Sequence, residues 1–235
     1  MARHVLLNNI EHKALRVDTR RNAELGDQVM YAQVVPSEFR QLQEHYPIVF
    51  APGSQGEMLP VALLGLRHGE NLFLRGDGWD AHYLPHVIER QPFAIGNQDG
   101  ELVLHLDMDS PRVGAAVGEA LFLEHGGTSA YVDRISEVLS ALNRGLPQIP
   151  VFMGLVEEYQ LLESFVLDFS LDDGTPQRLT GFHTLHEDRL SKLGGEALQR
   201  FQQAGLLEPL YMIIASLSNF RSLIDRFNRI HGDQH

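Results

Sequence analysis

The chain carries 12 histidines and 31 Asp plus Glu residues but no cysteine, so its chemistry must come from imidazoles, carboxylates and hydroxyls. Disulfides, thiolate-bound zinc, iron–sulfur clusters and cysteine nucleophiles are excluded. The spacing His105-Leu106-Asp107 is the first candidate. It lies in a run that reads as a β-strand, where residues i and i+2 point to one side. Imidazole and carboxylate would then share a face, as in the H-x-D half of an iron site built from two histidines and a carboxylate. A distal histidine, His183 or His186, would have to complete it. The plainer reading is an edge strand with polar residues on its wet side. Among so many histidines, that reading is favoured.

His183-Thr184-Leu185-His186-Glu187-Asp188 is the densest group of ligand-type side chains. On a helix, His183 and Glu187 would stand one turn apart and could hold a divalent metal. A helix start accounts for the same residues better. Thr184 can serve as the N-cap, Glu187 three residues on completes a capping box, and acidic residues suit the positive end of the helix dipole. Trp79, the sole tryptophan, follows Gly76 and Gly78 and precedes Tyr83 by four residues. Such a pair can form a ligand-stacking surface or an interface anchor, although a lone Trp is more often a core plug. Gly114-Ala115-Ala116-Val117-Gly118 resembles a phosphate loop only in its glycines; it has no lysine and acidic flanks.

The charge balance narrows the partners. Lys plus Arg is 19 against 31 acids, a net charge of −12. Such a surface repels phosphate backbones, so nucleic acid is excluded as a first partner. Between Arg144 and Arg178 there is no Lys or Arg, while Glu157, Glu158, Glu163, Asp168, Asp172 and Asp173 all fall there. That run reads as a solvated face, or as one that meets a basic partner surface. No stretch reaches the roughly 18 to 20 apolar residues of a spanning helix, and the N-terminus lacks the apolar core of a secretory signal. The cytoplasm is the expected compartment.

The elements that would position these residues change in kind along the chain. Strands are expected at Ala14–Val17, Gln28–Val35 and Tyr46–Phe50, with a short helix from Ser37, as N-cap, to His45. Met58–Leu66 should pair with Asn71–Leu74 across the Arg67–Glu70 turn, and a short helical stretch covers Leu84–Glu89. Phe93–Ile95 and Leu102–Leu106 flank Gly96-Asn97-Gln98-Asp99-Gly100, a hairpin signal. The spacing then predicts helices at Ser129–Leu142 and Val151–Leu162, a second hairpin of Phe165–Leu171 with Gln177–Phe182, and a helix over Glu196–Ala204. Strands first and helices later, joined by hairpins, indicate an α+β class: mostly antiparallel sheet from the first half plus a hairpin, packed with C-terminal helices. With no low-complexity linker, residues 1–235 read as one domain.

The last helix, Leu207 to Ile230, has the clearest pattern. Leu206, Leu210, Ile213, Leu217, Phe220, Ile224 and Phe227 are spaced 4, 3, 4, 3, 4, 3. Leu207, Tyr211, Ile214, Leu223 and Ile230 widen the stripe, which favours burial against the chain's own core. Ile213 and Leu217 are expected to be fully buried. Phe220, Ile224 and Phe227, at the far end, are the candidates for a homodimer contact, and Gly232 fits the stop.

Several segments, in order, resemble the SapC family of bacterial proteins. They are Tyr46-Pro47-Ile48-Val49-Phe50, Val61 to Leu66, Asn71-Leu72-Phe73-Leu74, Gly78-Trp79, Tyr83-Leu84-Pro85 and Arg90-Gln91-Pro92-Phe93. Leu171 to Gly174, Gly181-Phe182, Glu187 to Leu190 and Gly205 to Leu217 complete the set, from roughly Val29 to Phe227. The family's name implies association with a surface layer. Its members resemble this chain in being short and without a signal peptide. The resemblance also implies gene neighbours encoding TonB-dependent receptors, cupin-like iron/2-oxoglutarate oxygenases and flavin-dependent halogenases. It transfers no catalytic residue.

The expectation is therefore a non-catalytic accessory or binding protein with a protein partner from such a system, and with no catalytic residues and no cofactor. Its binding or interface candidates are Trp79, Tyr83, Phe220, Ile224 and Phe227. The rivals are a metal-dependent oxygenase using His105, Asp107 and a distal histidine such as His183, and a surface-layer component.

Overall fold

A computed structural model describes residues 3–98, 101–114, 116–172 and 174–231. Asp99, Gly100, Ala115, Asp173 and Gly232, which entered the turn, loop and helix-stop readings above, lie outside the described residues. The class is α+β with antiparallel sheets. The first elements are β1 (His4–Leu6), β2 (Arg16–Val17) and β3 (Tyr31–Gln33), then a 3-10 turn at Pro36–Glu38 leading into α1 (Phe39–Leu42). Next come β4 (Ile48–Pro52), β5 (Met58–Leu63), β6 (Leu74–Arg75), β7 (Gly78–Trp79) and α2 (His86–Glu89). A hairpin of β8 (Phe93–Gln98) and β9 (Glu101–Asp107) precedes β10 (Val113–Gly114) and β11 (Glu119–Ala120). The remainder is α3 (Ala130–Gly145), α4 (Gln148–Glu158), β12 (Leu162–Ser170) and β13 (Pro176–Leu185). Four helices close the chain: α5 (Glu187–Leu190), α6 (Gly195–Gln203), α7 (Leu207–Ser216) and α8 (Asn219–His231).

The chain forms two compact units, each assembled from three separate stretches. Unit 1 takes residues 1–28, 74–80 and 86–144. Its sheets are β1-β9-β8, β10-β2-β11 and the small β6-β7 pair. Its core gathers Val17, Phe93, Leu106 and Leu121 with Val132, Ile135 and Leu139 of α3, whose 3-4 spacing aims one apolar stripe inward.

Unit 2 takes residues 29–73, 81–85 and 145–235. It holds one five-stranded sheet, in the order β12-β13-β4-β5-β3. Ile48 to Ala51 are all buried, because this central strand is covered on both faces. Phe50 stacks on Phe152 of α4, with centroids 6.3 Å apart, and Phe165 of β12 stacks on Phe220 of α8 at 4.8 Å. The register of β12 against β13 shifts between Phe165 and Leu167. The extra residue falls on β13, where Gly181 has φ +89°. A side chain there would be strained, so glycine permits the bulge.

Three expectations change. Met58–Leu63 pairs with β4 and β3 and not with Asn71–Leu74; Leu74–Arg75 turns back instead on Gly78–Trp79. The longer neighbouring strands offered more ladder bonds than the nearby turn did. Ser37 does not cap α1, because Pro36 starts a 3-10 turn whose preceding N–H, on Val35, is taken by the Glu38 carboxylate at 3.2 Å. The single helix expected from Leu207 to Ile230 is two, α7 and α8, with a break at Leu217-Ser218.

Hydroxyls and one amide cause the break. Ser216 is fully buried; its hydroxyl accepts the N–H of Ile48 at 2.9 Å and donates to the Ile213 carbonyl. Ser218 donates to the Ala215 carbonyl, and the Asn219 side chain donates to the Gln43 carbonyl at 2.7 Å. Such bonds compete with the helical ladder. The redirected α8 buries Phe220, Leu223 and Phe227, while Leu217, at the bend, is only half-buried.

Ile213 and Phe227 are both 0% exposed. A carboxylate at either site would be buried without a partner, so Ile213→Asp and Phe227→Asp should both give insoluble or non-cooperatively melting protein. A soluble, cooperatively melting Ile213→Asp variant would show that α7 is a detachable arm.

Candidate functional site

The densest buried ionic group lies in unit 1 and joins residues far apart in the chain. Asp27 is 0% exposed and Arg112 is 2% exposed, and their Oδ2 and Nη2 atoms are 2.6 Å apart. Arg21 Nη1 approaches Asp27 Oδ1 at 3.4 Å and donates to the Ile88 carbonyl at 3.1 Å. Arg112 Nη1 also donates to the carbonyls of Asp18 and Arg20, at 3.1 and 2.7 Å. Burial, and next the Arg112 cation, pull the Arg21 guanidinium below its ordinary value. Burial pushes the Tyr131 phenol up to about 12, so it stays protonated. Arg112 Nε and Tyr131 Oη are buried donors without a partner.

Around this group Asp18 and Glu89 each take a cationic partner. Asp18 accepts from Arg20 at 2.6 Å, and that bond holds its carboxyl below the ordinary 3.8. Partial burial opposes ionisation of Glu89, but hydrogen bonds from His86 and Arg134 outweigh it and hold the carboxyl below 4.5. The Arg134 contact is bidentate, at 2.9 and 3.0 Å. Chemically this network clamps backbone and side chains in place. The sequence reading missed it because Asp27 and Arg112 occupy loops 85 residues apart, where no periodicity marks a buried charge.

The proposed iron ligands divide between the units, His105 and Asp107 in unit 1 and His183 and His186 in unit 2. His105 sits on β9 with its ring over Gly96, so close that a Cβ there would lie 2.4 Å from His105 Cε1. Asp107 accepts backbone N–H bonds from Arg3 at 3.0 Å and Asp109 at 3.1 Å. His183 belongs to the other unit. Among the described residues, no three His, Asp or Glu side chains converge on one metal position. His183 and Thr184 are strand residues of β13, so neither the helical metal pair nor the Thr184 capping box forms; α5 begins at Glu187 after His186. Eight paired positions with β12 outweigh one helical turn. His183 Nδ1 and Thr184 Oγ1 are buried without partners.

Gly118 serves packing and not phosphate. At φ +105° its Cα lies against the Val17 carbonyl, which a Cβ would meet at 2.0 Å. Trp79 lies in unit 1 on β7, half-buried opposite Leu74. Tyr83 lies in unit 2; its hydroxyl donates to the buried Glu38 at 3.1 Å, and its carbonyl accepts from the Tyr46 hydroxyl. Phe220 and Phe227 face their own unit: Phe220 meets Phe165, and Phe227 lies against His231 and under Arg67. Ile224 is half-buried.

What unit 2 leaves open is the outer hairpin. Along β12, Phe165, Leu167 and Phe169 are half-buried, while Ser164, Val166, Asp168 and Ser170 are exposed, Val166 at 45%. The partner positions Pro176, Arg178 and Thr180 on β13 are exposed as well. Asp168 and Arg178 approach to 3.4 Å, both well solvated.

The family model for SapC matches residues 7–223, nearly the whole chain. The chain belongs to the SapC family. Neither the curated proteins nor the solved structures contain a match. The SapC match runs through both units and ends inside α8. The buried charge network and the open hairpin of this SapC chain therefore both lie within the family's span.

Asp27→Ala would leave two buried guanidiniums short of their counterion. It should lower stability by about 3 to 5 kcal/mol, read from the urea midpoint of unit 1. The Glu89 carboxyl is depressed, so the stability it adds is complete above its ordinary value and lost as pH falls through the lowered one. The stability gap between the protein and Glu89→Gln should thus be widest above about pH 5 and should shrink steadily as pH falls below the ordinary 4.5. A gap that widens on acidification would refute the assignment.

Proposed function

We propose that this SapC-family chain is a non-catalytic accessory protein that works in the cytoplasm through protein contacts. Its partner belongs to a TonB-dependent receptor, cupin-like oxygenase or flavin-dependent halogenase system. The observation that carries this reading is the contrast between the two sets of polar groups. In unit 1 the buried charges are committed to one another and to backbone carbonyls. In unit 2 a long hairpin stands with one strand edge and one face unclothed, bearing exposed Val166 and Asp168. Surface of that kind is suited to recognition.

The test is native co-purification from the source organism under gentle salt, followed by identification of what elutes at fixed stoichiometry. A receptor, oxygenase or halogenase component at a constant ratio is the expected result. A chain that elutes alone under all conditions would count against the reading. In parallel, iron(II) with 2-oxoglutarate should leave the melting temperature unchanged. A rise of several degrees that disappears in the His105→Ala/Asp107→Ala variant would establish the oxygenase instead.

A further inference from the structure

We infer that the outer edge of β12 is a strand-addition site for an extended, basic segment of a partner protein. This rests on the protein-contact reading above and names the surface and the chemistry of its occupant. β12 is the terminal strand of the five-stranded sheet, and among the described residues its ladder is with β13 alone. Among the described residues no other backbone group pairs with Leu162–Ser170. Strand edges expose alternate N–H and C=O groups, and proteins commonly blunt them with lysine, proline, brevity or a bulge on the edge strand. β12 uses none of these, and its edge charges are the acidic Glu163 and Asp168. It is nine residues long, contains no Lys, Arg or Pro, and leaves the bulge to Gly181 of β13.

Charge chooses the occupant. From residue 145 to 177 the chain has no Lys or Arg, and Glu157, Glu163, Asp168 and Asp172 are exposed. The cations that approach this region are Arg178, beside Asp168, Arg200, bound to Glu158, Arg189, on the Gln160 carbonyl, and Arg67, on the Gln177 side chain; His186 lies 3.8 Å from Glu163. A second copy added antiparallel about Val166 would put two Glu163 and two Asp168 carboxylates into one strand pair, in a chain of net charge −12. In that register Glu163 faces Phe169 and Asp168 faces Ser164, so self-pairing gains no opposite-charge contact, whereas a basic strand does. Side chains of an added strand alternate between faces. On one face they would meet Asp168 and Val166, which suits Lys or Arg. On the other they would lie beside Phe165, Leu167 and Phe169, which suits Val or Ile.

The probe is a nine-residue peptide alternating lysine with valine and isoleucine, with a glutamate counterpart as control. The lysine peptide should bind the full chain and slow amide hydrogen exchange across residues 162–170. Raising salt from about 50 to about 300 mM should weaken binding, as should Asp168→Lys, by about tenfold. Val166→Lys, at an exposed site, should blunt the edge without altering the melting curve. Equal binding of the glutamate peptide, or unchanged exchange over β12, overturns the inference. So does a dimer in light scattering whose β12 amides are protected, since that makes a second copy the occupant. A native complex that survives the Val166→Lys/Asp168→Lys variant sinks this edge but leaves the protein-contact reading intact. Absence of any native complex removes that reading itself.

Discussion

A carboxylate and a guanidinium taken out of water lose several kcal/mol of hydration each, and only close, fully hydrogen-bonded pairing recovers it. Asp27 and Arg112 pair at 2.6 Å, and the same guanidinium donates to the carbonyls of Asp18 and Arg20, although its Nε has no partner among the described residues. The pair therefore fixes more than two side chains. It ties the loop after β11's partner strand β2 to the turn before β10, and Arg21 extends the tie to α2 through the Ile88 carbonyl. Unit 1 has only short strands around it, two of two residues beside β2. Ladders that short cannot hold a chain in place alone, so the ion pair supplies the registration that the sheet lacks.

Unit 2 solves the same problem by different means. Its sheet is larger, its central strand is buried on both faces, and aromatic stacking with α4 and α8 supplies the contact area. Polar ties appear where the chain must change direction. Ser216 bridges α7 to β4, and Glu38 joins the Val35 N–H to the Tyr83 hydroxyl. Each satisfies a buried group that would otherwise be costly. Asp27 in unit 1 and Ser216 in unit 2 each hold a backbone N–H, of Asn22 and of Ile48.

The outer hairpin stands apart from both patterns. Its inner face contributes Phe165 to the core, yet its outer face and edge return nothing to the fold. A strand of nine residues with exposed Val166 carries an aggregation hazard, and the acidic run through it restrains pairing with its own kind.

Composition and periodicity determined the α+β class, the β8–β9 and β12–β13 hairpins, the buried β4 strand and the inward stripe of α3, because each is local and repeats at a fixed spacing. The family, too, was legible in short ordered segments, and the match over residues 7–223 agrees with them. Tertiary structure decided the rest. It joined the late hairpin to the early strands through a single pair, His183 with Phe50, and it placed Thr184 in a strand where its sequence neighbours suggested a helix cap. It broke the C-terminal helix at Ser216 to Asn219, because hydroxyl and amide bonds to β4 and Gln43 outweighed an unbroken apolar stripe. It also paired Asp27 with Arg112 across 85 residues. A buried charge has no period, and only the folded chain shows which opposite charge will reach it.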